Sequence, residues 1–150
     1  GIDGTGYRWV GLDGEGMSGV LTEQGSAWFY KHNISPLNVA GEGEEAHIEA
    51  FFYCTHLKTA ACECRKPQPG LLMEAQRRFR FDLASTYFVG DMYSDMMTAK
   101  NAGCRSIFTL GGLDDELHRR GEPFPHPPEY ISRDLADAAA YILAKDCVGA

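Results

Sequence analysis

Ser85-Thr-Tyr-Phe-Val-Gly-Asp-Met-Tyr-Ser-Asp-Met-Met-Thr-Ala-Lys-Asn-Ala102 is the stretch whose reading decides the fold. Residues 85–89 are a β-rich run that ends in Gly90-Asp91. Residues 93–102 then read as a helix, with Gly103 as its stop signal. Met96 and Met97 serve it as core filler. Downstream, residues 105–110 predict another strand, closed by Gly111-Gly112, and residues 113–120 a short helix. Glu122-Pro-Phe-Pro-His-Pro-Pro128 reads as a surface connector with His126 exposed. Tyr130-Ile131 can form an edge strand, and Asp134 can cap an Ala-rich helix over 135–145. Strands alternating with helices predict an α/β fold, a parallel sheet covered by helices.

Upstream, Gly70-Leu-Leu-Met-Glu-Ala-Gln-Arg-Arg-Phe79 is apolar at 71, 72, 75 and 79, which is helical spacing for a core-packing helix. Residues 47–53 predict a strand. Residues 7–12 predict another, which runs into the carboxylate- and glycine-rich turn Asp13-Gly-Glu-Gly16. Turns at the carboxyl ends of strands are where open α/β sheets bind ligands. Residues 21–31 predict a short helix with Thr22 near its cap, weakened by Gly25. Residues 33–45 read as loop, with an acidic, solvated run.

Between the strand at 47–53 and the helix at 70–79 lies a cluster of soft metal ligands. Cys54, His56, Cys62 and Cys64 form Cys-x-His, five residues, then Cys-x-Cys, and hold three of the five cysteines. Three thiolates and an imidazole suit a closed tetrahedral zinc site. Four protein ligands leave no open position, so such a zinc is structural. The competing reading is a disulfide with one cysteine left over. Cys104 and Cys147 read as small core or tail residues.

Asp91 and Asp95 stand four residues apart at a strand exit and in the first turn of the next helix. Both carboxylates can face one crevice, and hard oxygen ligands there suit Mg²⁺. The structural alternative is that Asp95 only favours the helix N-terminus. Lys66, between Arg65 and Pro67, can reach a phosphate or neutralise a carboxylate.

The chain has 150 residues and a net charge of -7, with 44% hydrophobic and 23% charged residues. That is enough for one domain with a core. The negative charge argues against nucleic acid or an acidic membrane as partner, and disfavours a nucleic-acid-binding zinc ribbon. No apolar run approaches a membrane span. Gly1-Ile-Asp-Gly-Thr5 does not read as a secretory leader. Five cysteines fit a reducing cytoplasm better than secretion. The chain does not begin with Met, which points to a processed or truncated chain.

Together, Cys54-Thr-His56, Cys62-Glu-Cys64, Arg65-Lys-Pro-Gln-Pro-Gly70 and Val89-Gly-Asp-Met-Tyr-Ser-Asp95 resemble the haloacid-dehalogenase (HAD) phosphatases. They are similar to the zinc-loop branch holding D-glycero-D-manno-heptose-1,7-bisphosphate phosphatase and histidinol-phosphate phosphatase. The resemblance spans about residues 46–145. It implies a three-layer Rossmann-like, mostly parallel sheet with helices on both faces, in a single domain over 1–150 whose residues 1–45 are atypical. It also implies Mg²⁺-dependent phosphomonoester hydrolysis of a small phosphorylated metabolite, with a structural zinc. Lys66 matches the family's lysine and Asp91 its metal-binding aspartate. Arg65, Lys66 and Asp95 are the expected phosphate or substrate contacts.

The front of the chain departs from the family, and three alignments compete. Asp13 is the nucleophile and a Mg²⁺ ligand, with Glu15 as acid/base. Or residues 16–23 match the segment after the family's second strand. Or Ile2-Asp-Gly-Thr5 is the tail of the nucleophile motif, with Gly1 where the attacking aspartate belongs. The site assignment follows the first. Losing a central strand would leave backbone groups unpaired. Either the chain rebuilds the sheet from what remains, or a second copy supplies a strand in a homodimer. A slow enzyme, or a catalytically impaired binding protein, is the expectation.

Overall fold

A computed structural model describes the backbone of residues 8–13, 18–22, 27–28, 48–57 and 59–148, and the side chains of residues 50, 52, 54–57 and 59–145. Among the described residues, seven strands make one sheet: β1 (Arg8–Asp13), β2 (Ser18–Thr22), β3 (Ala27–Trp28), β4 (Ile48–Tyr53), β5 (Tyr87–Gly90), β6 (Arg105–Thr109) and β7 (Tyr130–Ser132). The α-helices among the described residues are α1 (Gly70–Phe79), α2 (Tyr93–Ala102), α3 (Asp115–Arg119) and α4 (Leu135–Val148). The strand order is β4-β1-β2-β3-β5-β6-β7.

The predicted helix at 21–31 is corrected by this arrangement. Residues 18–22 and 27–28 are strands instead. Gly25 weakens a helix there, while Val20 and Thr22 are β-branched and favour extended backbone. The sheet also offers a ladder that a helix could not fill. Ser18 and Gly19 pair antiparallel with Gly90 and Val89, and Ala27 and Trp28 pair parallel with Tyr87 and Phe88. The inner edge of β5 is thus shared by two short strands, and the sheet is continuous within a single chain.

Among the described strands only β2 runs against the rest. β1 is parallel to β4, and β5, β6 and β7 are parallel in sequence. The carboxyl ends of β1, β4, β5 and β6 therefore open on one rim. Asp13, Cys54 and Asp91 leave their strands there. The predicted loop over 33–45 lies outside the described residues.

The two faces of β5 show why helices cover both sides. Successive strand side chains point to opposite faces. Phe88 packs with Phe52, Leu71, Leu72, Ala75 and Ala99, under α1 and α2. Tyr87 and Val89 pack with Ile107, Ala138 and Ile142, under α4. Leu72, Met96, Phe88 and Ile142 are almost fully buried, each stabilising by roughly 1.5–3 kcal/mol. Asp134 caps α4, its Oδ1 accepting the Asp137 N–H at 2.8 Å. The edge strand β7 is held by Arg105, whose guanidinium forks onto Glu129 and lies over the Tyr87 ring. His126, expected at the surface, is half-buried.

Candidate active site and metal centre

The cysteine loop gathers its ligands as predicted. Cys64 Sγ lies 3.0 Å from Cys54 Sγ and 3.1 Å from His56 Nδ1. Cys54 Sγ lies 3.6 Å from Cys62 Sγ and 3.5 Å from His56 Nδ1. All four ligand atoms fall within 4.8 Å of one another. A tetrahedral zinc with sulfur at ~2.3 Å and nitrogen at ~2.0 Å sets ligand edges of about 3.5–3.8 Å. The cluster brackets that size and can hold such an ion. The cysteines are free thiols rather than a disulfide pair.

Their protonation makes the same point. Burial, helped by hydrogen bonds to Cys54 and Cys62, pushes the Cys64 thiol up to about 12. At Cys62 burial also opposes ionisation. Hydrogen bonds from Cys64, Cys54 and the Arg65 backbone outweigh it and move that thiol down. Ionising Cys62 thus works against ionising Cys64, and a metal bound between the two would remove that opposition.

The loop hands its order to Lys66. Arg65 donates through Nη2 to the His56 carbonyl at 2.8 Å. The Gly70 N–H donates to the Glu63 carbonyl at 2.8 Å. A Cβ on Gly70 would meet that carbonyl oxygen at 2.3 Å, so the loop can close on the start of α1 only with glycine. Asn101 of α2 donates to the Pro67 carbonyl at 2.9 Å. Lys66 is thereby carried across to the rim of β5.

There Lys66 Nζ meets Asp95 Oδ1 at 2.7 Å. Asp95 is fully buried, and its Oδ2 accepts the Met92 N–H at 3.0 Å. Burial raises the Asp95 carboxyl to about 6, with the Asp91 charge adding to the rise and Lys66 opposing it. Asp95, expected among the phosphate contacts, has no exposed surface, and its two carboxylate oxygens face Lys66 Nζ and the Met92 N–H. Asp91, 1% exposed, closes the same group. Its Oδ2 accepts the Leu113 N–H at 3.0 Å. Arg65 stands with the metal loop, its Nη2 committed to the His56 carbonyl. Asp13 has only its backbone described, as the last residue of β1 opposite Tyr53. Glu15 lies outside the described residues, and Cys147 is placed in α4 by its backbone alone.

Sequence reasoning missed the support that comes from beyond β6. A Cβ on Gly112 would come within 2.2 Å of Asp91 Cβ and Oδ2. Asp114 accepts the Tyr93 N–H at 2.7 Å and donates its own N–H to the Asp91 carbonyl at 3.1 Å. The pair Gly111-Gly112 was visible in the sequence, but the partner that requires the second glycine was not. A separate open cleft of about 690 Å³ lies between the metal loop and α1, lined by His56, Glu63, Met73, Glu74 and Arg77 among others. Neither Lys66 nor Asp91 lines it.

The chain is similar to known proteins. The HAD-hydrolase-like family model matches residues 63–138, half of the chain. D-glycero-beta-D-manno-heptose-1,7-bisphosphate 7-phosphatase of Pseudomonas aeruginosa is 32% identical over 70% of this chain and 56% of its own. The Bordetella bronchiseptica protein of the same name is 42% identical over 64% of this chain and 52% of its own. A crystal structure of D,D-heptose 1,7-bisphosphate phosphatase from B. bronchiseptica, complexed with magnesium and phosphate, superposes with a TM-score of 0.58 at 31% identity. It covers 65% of this chain and 54% of the solved one. The chain spans about half the length of the curated relatives it matches. The chain belongs to the HAD-hydrolase-like family, and the relatives named here are its heptose bisphosphate phosphatases.

Proposed function

We propose that this chain is a Mg²⁺-dependent phosphomonoester hydrolase of the HAD type, acting on a small sugar phosphate such as D-glycero-D-manno-heptose 1,7-bisphosphate. The observation that carries the reading is the group formed by Lys66, Asp95 and Asp91 at the carboxyl end of β5. Lys66 supplies positive charge to an approaching phosphate dianion, and Asp95 holds that ammonium in place. Asp91 would hold the Mg²⁺, which when bound neutralises phosphate charge. Cys54, His56, Cys62 and Cys64 would hold a structural zinc that fixes the loop bearing Lys66. Asp13 is the proposed nucleophile and second Mg²⁺ ligand, and Glu15 the proposed acid/base. The names of the relatives favour a heptose bisphosphate over histidinol phosphate. No described helix is long and apolar enough to cross a membrane, and a cytoplasmic single-domain protein is part of the same reading.

A second reading, a catalytically impaired member that binds its ligand without turning it over, is favoured by one observation. The strand beside β5 at the rim is β2, with Ser18 opposite Gly90. Leu12 pairs with the far side of Ser18. The backbone at the end of β1 is therefore two strand spacings from β5, about 10 Å. Hydrolysis of an aryl phosphate and of heptose 1,7-bisphosphate, with and without Mg²⁺, separates the readings. Metal-dependent turnover well above an Asp91→Ala control supports the enzyme. Turnover equal to that control, with phosphate still bound, supports the impaired member.

A further inference from the structure

We propose that Asp114 is a positioning residue for the metal-binding turn at Asp91. The inference rests on the Mg²⁺-site reading above. No chemistry requires Asp114 to touch a ligand. Among the described residues only the cysteine–histidine cluster brings three potential ligand atoms within metal-binding range, so Asp114 is not part of a carboxylate cage with Asp91 and Asp95.

What Asp114 does is tie two loops together. Its Oδ2 accepts the N–H of Tyr93, the first residue of α2, at 2.7 Å. Its own N–H donates to the Asp91 carbonyl at 3.1 Å. The preceding N–H, of Leu113, donates to Asp91 Oδ2 at 3.0 Å. Three hydrogen bonds thus run between the turn after β6 and the turn after β5, and the Asp91 carboxylate lies between them. The first N–H groups of a helix have no partner inside it. A carboxylate on the Tyr93 N–H satisfies one of them and favours the positive end of the helix. The latch is as close-fitting as it can be, since a Cβ on Gly112 would overlap the Asp91 side chain. From the opposite side the same turn is held by Asp95, which accepts the Met92 N–H. Asp91 is aimed only while both supports hold. Residues that orient a metal ligand in this way change metal affinity by about 10- to 100-fold when removed.

The proposal predicts which atom matters. Asp114→Ala removes the acceptor. Asp114→Asn keeps one. Tyr93→Pro removes the N–H at a position where proline is tolerated, because Met92 before it is already extended at φ -120°, ψ 148°. Tyr93→Ala, which keeps that N–H and loses only the ring, is its control. Mg²⁺ binding is measured by calorimetry on the full chain with its zinc retained, in the presence of inorganic phosphate. Zinc content and thermal midpoint are recorded for each variant.

The expected result is at least tenfold weaker Mg²⁺ binding in Asp114→Ala and in Tyr93→Pro, with Asp114→Asn and Tyr93→Ala within about threefold of wild type. The double variant Asp114→Ala/Tyr93→Pro should be no weaker than either single one, because both remove the same bond. Unchanged binding in Asp114→Ala, beside a wild type that binds Mg²⁺, overturns the inference and leaves the phosphatase reading standing. Equal weakening in Asp114→Asn also overturns it, because charge and not the acceptor would then be at work. If Asp114→Ala loses its fold, the proline–alanine pair at Tyr93 decides. A wild type that binds no Mg²⁺ fails the phosphatase reading, and the inference with it.

Discussion

Replacing Lys66 by Met tests the pair at the centre of the site, because it removes the cation 2.7 Å from a carboxylate with no solvent exposure. Asp95 titrates near 6 in the folded chain against an ordinary 3.8. Its folded value lies above its unfolded one, so the folded state holds the proton more tightly. Stability therefore falls as pH rises between those two values and is level above the higher one. At about 1.36 kcal/mol per unit, an ionised Asp95 costs the wild type ~3 kcal/mol at neutral pH. Without Lys66 the carboxyl keeps the burial and the Asp91 charge, and only the Met92 N–H is left to oppose them. Its titration then moves further up than in the wild type, so at neutral pH the folded variant holds the proton that the wild type has lost. The variant is less stable than wild type at pH 7 from this cause. That gap widens as pH rises further, by at most about 1.36 kcal/mol per unit, the worth of one bound proton. Other titrating groups are common to both proteins and cancel in the difference. Urea unfolding from pH 5 to pH 8, without added Mg²⁺, measures it. The expected gap at pH 8 exceeds the gap at pH 5, by ~2 kcal/mol, or roughly 4–8 °C in thermal midpoint. Parallel curves across that range would refute the reasoning, since they would mean that Asp95 does not need Lys66 to stay ionised.

Elemental analysis should find about one zinc per chain in protein purified without chelator. Cys64→Ser should retain less than about a tenth of that and unfold at lower temperature, because three ligands close a tetrahedral site poorly. Mg²⁺ with phosphate should raise the wild-type thermal midpoint, by about 2.7 kcal/mol of stability at a hundred times the dissociation constant. Asp91→Ala should show no such rise in the same scan. Gly112→Ala should cost about 1–3 kcal/mol in urea unfolding, because its methyl meets the Asp91 carboxylate. The same change on Gly111, where a Cβ has open space but the backbone sits at φ +80°, should leave the Mg²⁺ requirement unaltered while still destabilising the chain.

The elements from residue 48 onward were legible in the sequence because their signals are local. Leu71, Leu72, Ala75 and Phe79 fall on one side of a helical repeat, Gly103 ends α2 in the left-handed conformation at φ +79°, and Asp134 caps α4. The metal loop was legible for the same reason, since four ligands within eleven residues need only a turn to meet. The segment at 18–28 was not. Its two short strands exist because β5 has an open edge, and ladder partners 60 to 72 residues away are invisible in a local pattern. Asp95 shows the same division within the site. Its spacing from Asp91 marked it as functional, but only packing decided that it lies buried and paired with Lys66. The sequence alone determined the soft-metal ligands, the strand–turn–helix carrying Asp91, and the lysine beside it. The tertiary structure decided how the front of the chain completes the sheet, and that Gly112 and Asp114 brace Asp91. Those outcomes depend on which backbone groups meet across the rim of the sheet, and residues distant in the chain meet there only after it has folded.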